Sequence, residues 1–284
     1  MPSWTNATGP ASGLLRPAET AREADLRRDA PVSPLLAPGE ERYWSVRWDR
    51  TGRPPHRSEV LSHPSVNLSV DSASEQRFWH LLPAVLLKAL TTRRFTIDLA
   101  GTGRVTAAKF RPGGWVALGG RLPGRATVAP LGTALGLDAA RLLDAVLAAE
   151  DDDARAAVLD AVLAPLAPDP PAAYLELLAL LERMAADRSL VRVEQVAVLG
   201  SMSTRSLQRL FAGYVGLSPK AVLARYRLQD AAATIDAGGV GDLAGLAASL
   251  GWFDQAHFSR DFRAVTGTTP SAYLRRARAA QDTG

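Results

Sequence analysis

The chain of 284 residues contains no cysteine. This excludes a disulfide framework, a thiol nucleophile and any cysteine-ligated metal. Lysine is nearly absent as well: Lys88, Lys109 and Lys220 are the only ones, and arginine carries the remaining positive charge. Net charge is just +4, so charge by itself is a thin argument for a nucleic-acid partner. No run of about 18 apolar residues occurs, so neither a spanning helix nor a membrane partner is expected. The opening MPSWTNATGPASGLLRPAET lacks a basic start followed by an apolar core. It does not read as a secretory signal, and the cytoplasm is the expected location. G-x-S-x-G, P-loop and H-E-x-x-H patterns are missing, and GTGR (101–104) is too short and wrongly placed for a dinucleotide fingerprint. No catalytic residue, metal ligand or cofactor is therefore assigned, and the chain is not expected to be an enzyme.

What is present divides the chain in two. A hydrophobic content of 47% over this length suits two globular domains, each with its own core. Residues 1–28 mix Pro, Gly, Ser, Thr and charge without apolar periodicity and are expected to form a disordered tail. Residues 29–165 read as a β-rich domain with two helices, suited to a sensory or oligomerisation role. There Trp44, Val46 and Trp48 alternate with Tyr43, Ser45 and Arg47; Val66, Leu68 and Val70 alternate with Asn67, Ser69 and Asp71. Phe95, Ile97 and Leu99 alternate in the same way with Arg94, Thr96 and Asp98. A period of two predicts half-buried strands, here separated by turn-rich stretches such as TGRPP, AGTG and RPGG. The period then lengthens. Asp138 is placed to cap a helix carrying Leu142, Leu143, Val146 and Leu147, and Asp152 or Asp153 to cap a second one reaching Leu163. The prolines of APLAPDPPA cannot continue a helix, which places a linker at residues 166–173. Residues 174–284 are helical in pattern. The fold class is thus α+β, a β-rich domain followed by an all-α one.

The all-α part contains a repeat. In LGSMSTRSLQRLFAGYVGLSP and LGWFDQAHFSRDFRAVTGTTP, Leu199, Gly200, Arg209, Phe211, Gly216 and Pro219 return at an offset of 51 as Leu250, Gly251, Arg260, Phe262, Gly267 and Pro270. Leu207 returns as Phe258. In the first unit Val193, Val196 and Ala197 stripe a short helix, Gly200 supplies a turn that often needs positive φ, and Ser203 caps the next helix. Leu207, Leu210 and Phe211 form that helix's buried face. In the second unit Leu243, Leu246 and Ala247 are the stripe, Gly251 the turn, Asp254 the cap, and Phe258 and Phe262 the buried face. These are two helix-turn-helix units. A long helix from Pro219 to about Asp236 joins them, with Val222, Leu223, Tyr226, Leu228 and Ile235 placed to dock both. Its length of about 27 Å compares with roughly 34 Å between major-groove faces on one side of a duplex.

The outward side chains suit DNA. Thr204, Arg205, Gln208 and Arg209 lie opposite the first buried face; Gln255, Ala256, His257, Ser259 and Arg260 lie opposite or beside the second. Arginine can donate two hydrogen bonds to a guanine edge and glutamine can pair with an adenine edge. Helix N-termini and their caps hold phosphates and set register, the role expected of Ser203 and Ser259.

STRSLQRLFAGYVGLSPKAVLARYRLQDA and GWFDQAHFSRDFRAVTGTTPSAYLR closely resemble the paired helix-turn-helix domain of the AraC/XylS transcription regulators, over about residues 174–278. The resemblance implies a bacterial sequence-specific regulator that binds double-stranded DNA. It implies base contacts from Arg205, Gln208 and Arg209 in one unit and Gln255, His257 and Arg260 in the other, with Thr204 beside them. It also brings in RNA polymerase as the contact of an activator, a small-molecule effector and a homodimer as candidate partners. The chain departs from the family at Gln195-Val196-Ala197, where Leu-Ala is common. Asp261, between Arg260 and Phe262, is expected to weaken or orient the neighbouring DNA contact. TRRFTIDLAGTGRVTAAKFRPGG is similar to the N-terminal region of a group of bacterial AraC-type regulators.

Other readings stay open beside this one. His56 and His63 stand seven apart among prolines in an expected loop, without the carboxylates a metal site would want nearby. Trp44, Trp48, Trp79 and Trp115 either line an effector pocket or fill the core. The alternative function is a DNA-binding domain fused to an enzymatic or protein-interaction module; repair chemistry on a cysteine methyl acceptor is excluded.

Overall fold

A computed structural model describes residues 5–6, 14–15, 26–61, 63–74, 80–89, 91, 93–122, 128–167 and 169–282. Strands dominate the first part: β1 (Thr5–Asn6), β2 (Leu26–Ala30), β3 (Glu40–Arg50), β4 (His56–Val60), β5 (Asn67–Ala73), β6 (Ala84–Lys88), β7 (Phe95–Leu99), β8 (Gly101–Phe110) and β9 (Val128–Pro130). Helices follow: α1 (Gly114–Ala117), α2 (Ala139–Ala148), α3 (Asp152–Leu163), α4 (Ala172–Ala186), α5 (Val193–Leu199), α6 (Thr204–Tyr214), α7 (Pro219–Asp236), α8 (Leu243–Ser249), α9 (Gln255–Thr266) and α10 (Pro270–Asp282). The α+β architecture expected from the change of period is the one observed.

An antiparallel sheet of seven strands runs in the order β1-β2-β3-β8-β5-β6-β9, and β4 pairs with β7 in a second, two-stranded sheet. Alternation sends side chains to two faces. Tyr43, Leu68, Val70, Val85 and Phe110 meet Leu142 and Val146 of α2, Leu159 and Leu163 of α3, and Trp115. On the other face Trp48 and Val105 pack with Trp44, Val46, Ile97 and Leu99, so the small sheet shares that second cluster. Gly103 lies directly opposite Trp48 in the ladder, and a Cβ on it would stand 2.0 Å from the indole. Gly103 of the AGTG stretch is therefore a glycine because an aromatic ring occupies the space, whereas Gly101, which opens β8, has a left-handed φ of 52°.

The tryptophans described are packing residues with satisfied indoles. Trp48 Nε1 donates to the Ala100 carbonyl at 3.0 Å and Trp115 Nε1 to that of Arg121 at 2.8 Å. Trp44 donates to Asn67 at 3.0 Å and lies 5.6 Å from the Lys88 ammonium. Trp79 falls outside the described residues. Two local expectations change. Asp138 caps α2 as predicted, accepting from Ala140 and Arg141, but α3 is capped by Asp151, which accepts from Ala154 at 2.8 Å; Asp152 and Asp153 occupy its first turn. His56 opens strand β4 instead of lying in a loop.

Most of the tail expected at residues 1–28 also lies outside the described residues. Where it is described it is paired: β1 with β2, Leu14 with Val60, and the Leu15 amide with the Glu59 carbonyl at 2.9 Å. Leu15 and Leu61 are buried in the same cluster as Leu228, Ile235, Phe258 and Phe262. The β-rich part thus contributes two leucines to a helical core. Tyr174 at the start of α4 donates to the Pro38 carbonyl at 2.8 Å, and Gln229 of α7 to that of Leu61 at 2.6 Å.

Glu40, at the start of β3, is 0% exposed and, among the described residues, neither of its carboxyl oxygens has a hydrogen-bond partner. Burial, aided by the nearby Asp160 carboxylate, pushes its pKa up to about 9. An unfolded chain sheds this proton near pH 4.5 while the folded one keeps it to about 9, so the native state binds more protons and stability falls as pH rises through that window. Glu40→Gln abolishes this term. Its denaturation midpoint should match the wild type at pH 5 and exceed it at pH 8, the gap growing by about 1.4 kcal/mol per pH unit. Parallel pH profiles for the two proteins would refute the buried, protonated carboxyl.

Candidate nucleic-acid interface

The two helix-turn-helix units are α5–α6 and α8–α9, joined by α7. Each has its own core. Val196, Ala197, Leu207 and Phe211 pack with Leu177, Leu181, Val222 and Leu223. Leu246, Ala247, Phe258 and Phe262 pack with Leu228, Ala231, Ile235 and Tyr273. The proposed docking residues of α7 are thus divided, Val222 and Leu223 serving the first unit and Leu228 and Ile235 the second. Gln195 is not a packing fault. Its Oε1 accepts from the Arg192 amide at 2.8 Å and the Val191 amide at 3.0 Å, which caps the start of α5, while Val196 and Ala197 are fully buried.

Arg205, Gln208 and Arg209 are exposed on α6, as are Gln255, His257 and Arg260 on α9; Thr204 and Ser259 are half-buried. Ser203 is exposed, and its Oγ accepts from the Ser206 amide at 3.1 Å, closing the first turn of α6. Asp254 does the same for α9, accepting from the His257 amide at 2.6 Å. Each reading helix therefore shows a polar face at its N-terminal half, on a helix whose opposite face is anchored by two aromatic or leucine side chains.

Asp261 is held by two partners. It accepts from Trp252 Nε1 at 2.9 Å and pairs with His257 Nε2 at 3.3 Å. The Trp252 ring is in turn covered by the Arg227 guanidinium of α7 at 3.9 Å, and Arg227 Nε donates to the Leu250 carbonyl at 2.6 Å. A continuous set of contacts runs from the connecting helix through the turn to the reading helix. His63, expected in a loop, is also a packing residue: it sits 3.2 Å from Lys109 Nζ with its ring edge-on to Tyr226, and burial pushes its pKa down to about 3. Among the described residues no group of three or more His, Asp or Glu is arranged to hold a metal ion.

The two units are not in one register. The left-handed residue of the second turn is Gly251 at φ 77°, but in the first it is Ser201 at φ 49°, whereas Gly200 has φ −86°. The Met202 amide donates to the Ala197 carbonyl at 3.0 Å, and the Trp252 amide to that of Ala247 at 2.9 Å. Up to this point the structural offset is 50. From the caps Ser203 and Asp254 onward it is 51. The second turn is one residue longer, and the added residue is Phe253, 95% exposed beside the N-terminus of α9. The shared Leu-Gly pair concealed this shift, and the stripes Val193-Val196-Ala197 and Leu243-Leu246-Ala247 already carried the shorter offset.

Residues 197–276 match the helix-turn-helix domain family, and residues 29–124 match a domain of unknown function (DUF6597). An uncharacterized HTH-type transcriptional regulator of Haemophilus influenzae is 35% identical over 81 residues, covering 28% of this chain and 27% of that protein. The chain thus spans about a quarter of the length of that curated relative. A probable AraC family transcriptional regulator from Rhodopseudomonas palustris is 31% identical, with 34% of this chain and 93% of that chain covered and a TM-score of 0.32. ToxT from Vibrio cholerae is 10% identical over 82% of this chain and 97% of that chain, with a TM-score of 0.44. Among the described residues no helix is long and apolar enough to cross a membrane.

Ser201 bears a side chain where the backbone favours glycine. Ser201→Gly should raise the denaturation midpoint by about 0.5–1 kcal/mol, the left-handed penalty less the extra entropy of an unfolded glycine. Gly251→Ala should lower it by about 1–2 kcal/mol or more, because φ is 77° and the new Cβ would stand 2.6 Å from Val191. Equal midpoints for all three proteins would contradict the register described. With its paired units tied by one helix and its match to the helix-turn-helix domain family at residues 197–276, the C-terminal part of the chain is a helix-turn-helix domain.

Proposed function

We propose that this protein is a sequence-specific transcription regulator that reads two adjacent major-groove segments of a promoter with α6 and α9. The observation that carries the reading is the pair of exposed polar helix faces, each backed by its own core and both fastened to one continuous helix. Arg205, Gln208 and Arg209 contact bases in one segment, with Thr204 at the rim; Gln255, His257 and Arg260 do so in the other. Ser203 and Ser259 hold flanking phosphates. Phe253 adds apolar surface suited to a thymine methyl. His257, steadied by Asp261, offers an imidazole in a fixed orientation.

The β-rich domain, taken as residues 29–165, adjusts occupancy in response to a small-molecule effector or a partner, through the contacts it makes with both units. RNA polymerase is the partner through which an activating copy would work, in the cytoplasm, singly or as a homodimer. Neither domain performs a catalytic step in this role.

A footprint on selected DNA should show two protected segments about one helical turn apart. Arg209→Ala and Arg260→Ala should each cost about 1–3 kcal/mol and relax preference at one base pair. Equal weakening on every sequence would reassign that arginine to a phosphate, and the absence of salt-sensitive, selective binding would refute the function.

A further inference from the structure

We propose that the β-rich domain itself touches the DNA backbone, through Arg93 in a cleft it shares with the second reading helix; this rests on the DNA-binding reading above. The cleft, about 670 Å³, is lined by Arg93 and Arg94 from the approach to β7, by Thr96 of β7 itself, and by Arg260, Arg263 and Gly267 from α9 and its C-terminal turn. Four guanidinium groups gather there, and no carboxylate lines it. One is already neutralised, since Arg94 Nε lies 2.6 Å from Glu59. Arg93, Arg260 and Arg263 are exposed and, among the described residues, form no ion pair. Like charges from two domains on one opening repel unless an anion covers them.

The geometry selects a polyanion strand. Arg260 and Arg263 are three apart and share the outer side of α9, stepping from the base-reading turn toward its C-terminus. With the first turn of α9 on the base edges, its later turns run toward the groove's rim, where a strand carries a phosphate for about every 3.4 Å of rise. Arg93 lines the same cleft, and its neighbour Arg94 is fastened to the end of α9. The Arg94 amide donates to the Val265 carbonyl at 2.8 Å and the Arg94 guanidinium donates to the Thr266 carbonyl. Gly267 leaves room for that guanidinium, which a Cβ would strike. The strand approach and the reading helix therefore present their arginines as one surface, and the phosphate contact ties the β-rich domain to bound DNA.

The test measures binding of the full chain to its selected DNA site over a range of salt concentrations, for the wild type, Arg93→Ala and Arg93→Lys. The alanine variant should bind more weakly by the same factor on specific and non-specific DNA, with the salt slope reduced by about one. The lysine variant should recover most of that slope. Because Arg93 is exposed, all three should share a denaturation midpoint. Unchanged affinity and slope for Arg93→Ala, with selective wild-type binding, would overturn this contact and leave the function standing. A wild type that binds no DNA selectively would overturn both. Inorganic phosphate that stabilises the wild type and not Arg93→Ala, while DNA binding is identical, would mark a small-anion site and overturn the DNA assignment.

Discussion

The structure depends on one helix serving two cores. Pro219–Asp236 commits Val222 and Leu223 to the first unit and Leu228, Ala231, Ala232 and Ile235 to the second. A side chain fully buried in either core fixes the angle of that unit to the rod, so the spacing of the two reading helices follows from packing and not from a flexible tether. The remaining side of the same helix is occupied as well. Arg225 donates to the Thr91 carbonyl, Gln229 to that of Leu61, and Tyr226 meets His63. The rod is therefore the common mount of three bodies, and none of them can shift without disturbing a buried contact on it.

The units it mounts differ in how they are braced. In the second, Arg227 stacks on Trp252, Trp252 donates to Asp261, and Asp261 meets His257. In the first, Met202 stands in the place of Trp252, and the bracing comes instead from Gln195 at the start of α5 and from the serine cap of α6. Asp261 is thus part of the scaffold that braces the second unit.

The repeat, the long helix to its last residue, the caps Asp138, Ser203 and Asp254, and the two-faced strands were legible because each follows from local rules of period and capping. Three kinds of feature were not. The cap of α3 lay one residue earlier than expected because three consecutive aspartates offer equivalent side chains. The left-handed residue was assigned to Gly200 because glycine is its usual carrier, whereas hydrogen bonding within the turn selects Ser201. The docking of Leu15, Leu61, Arg94 and Gln229 across the domain boundary is a long-range matter that no local pattern announces. Of the interface, the exposed side chains could be named from the alternation of apolar and polar positions along each helix. Phe253 could not, since an exposed phenylalanine has no periodic signature and an apolar residue in a turn is ordinarily read as buried.

The longer second turn bears on how this domain can be rebuilt. A chimera that exchanges reading helices by joining the chains at the structurally equivalent left-handed residues, Ser201 and Gly251, would move Phe253 with the transplanted helix. The recipient turn would then be one residue too long, or one too short in the reciprocal exchange. Since 3.6 residues make a turn of helix, an unabsorbed error of one residue would rotate the transplanted face by about 100°, bringing buried side chains toward the solvent. Junctions placed at the caps, Ser203 against Asp254, avoid this. The interchangeable module is the helix from its cap onward, and the turn belongs to the scaffold that receives it.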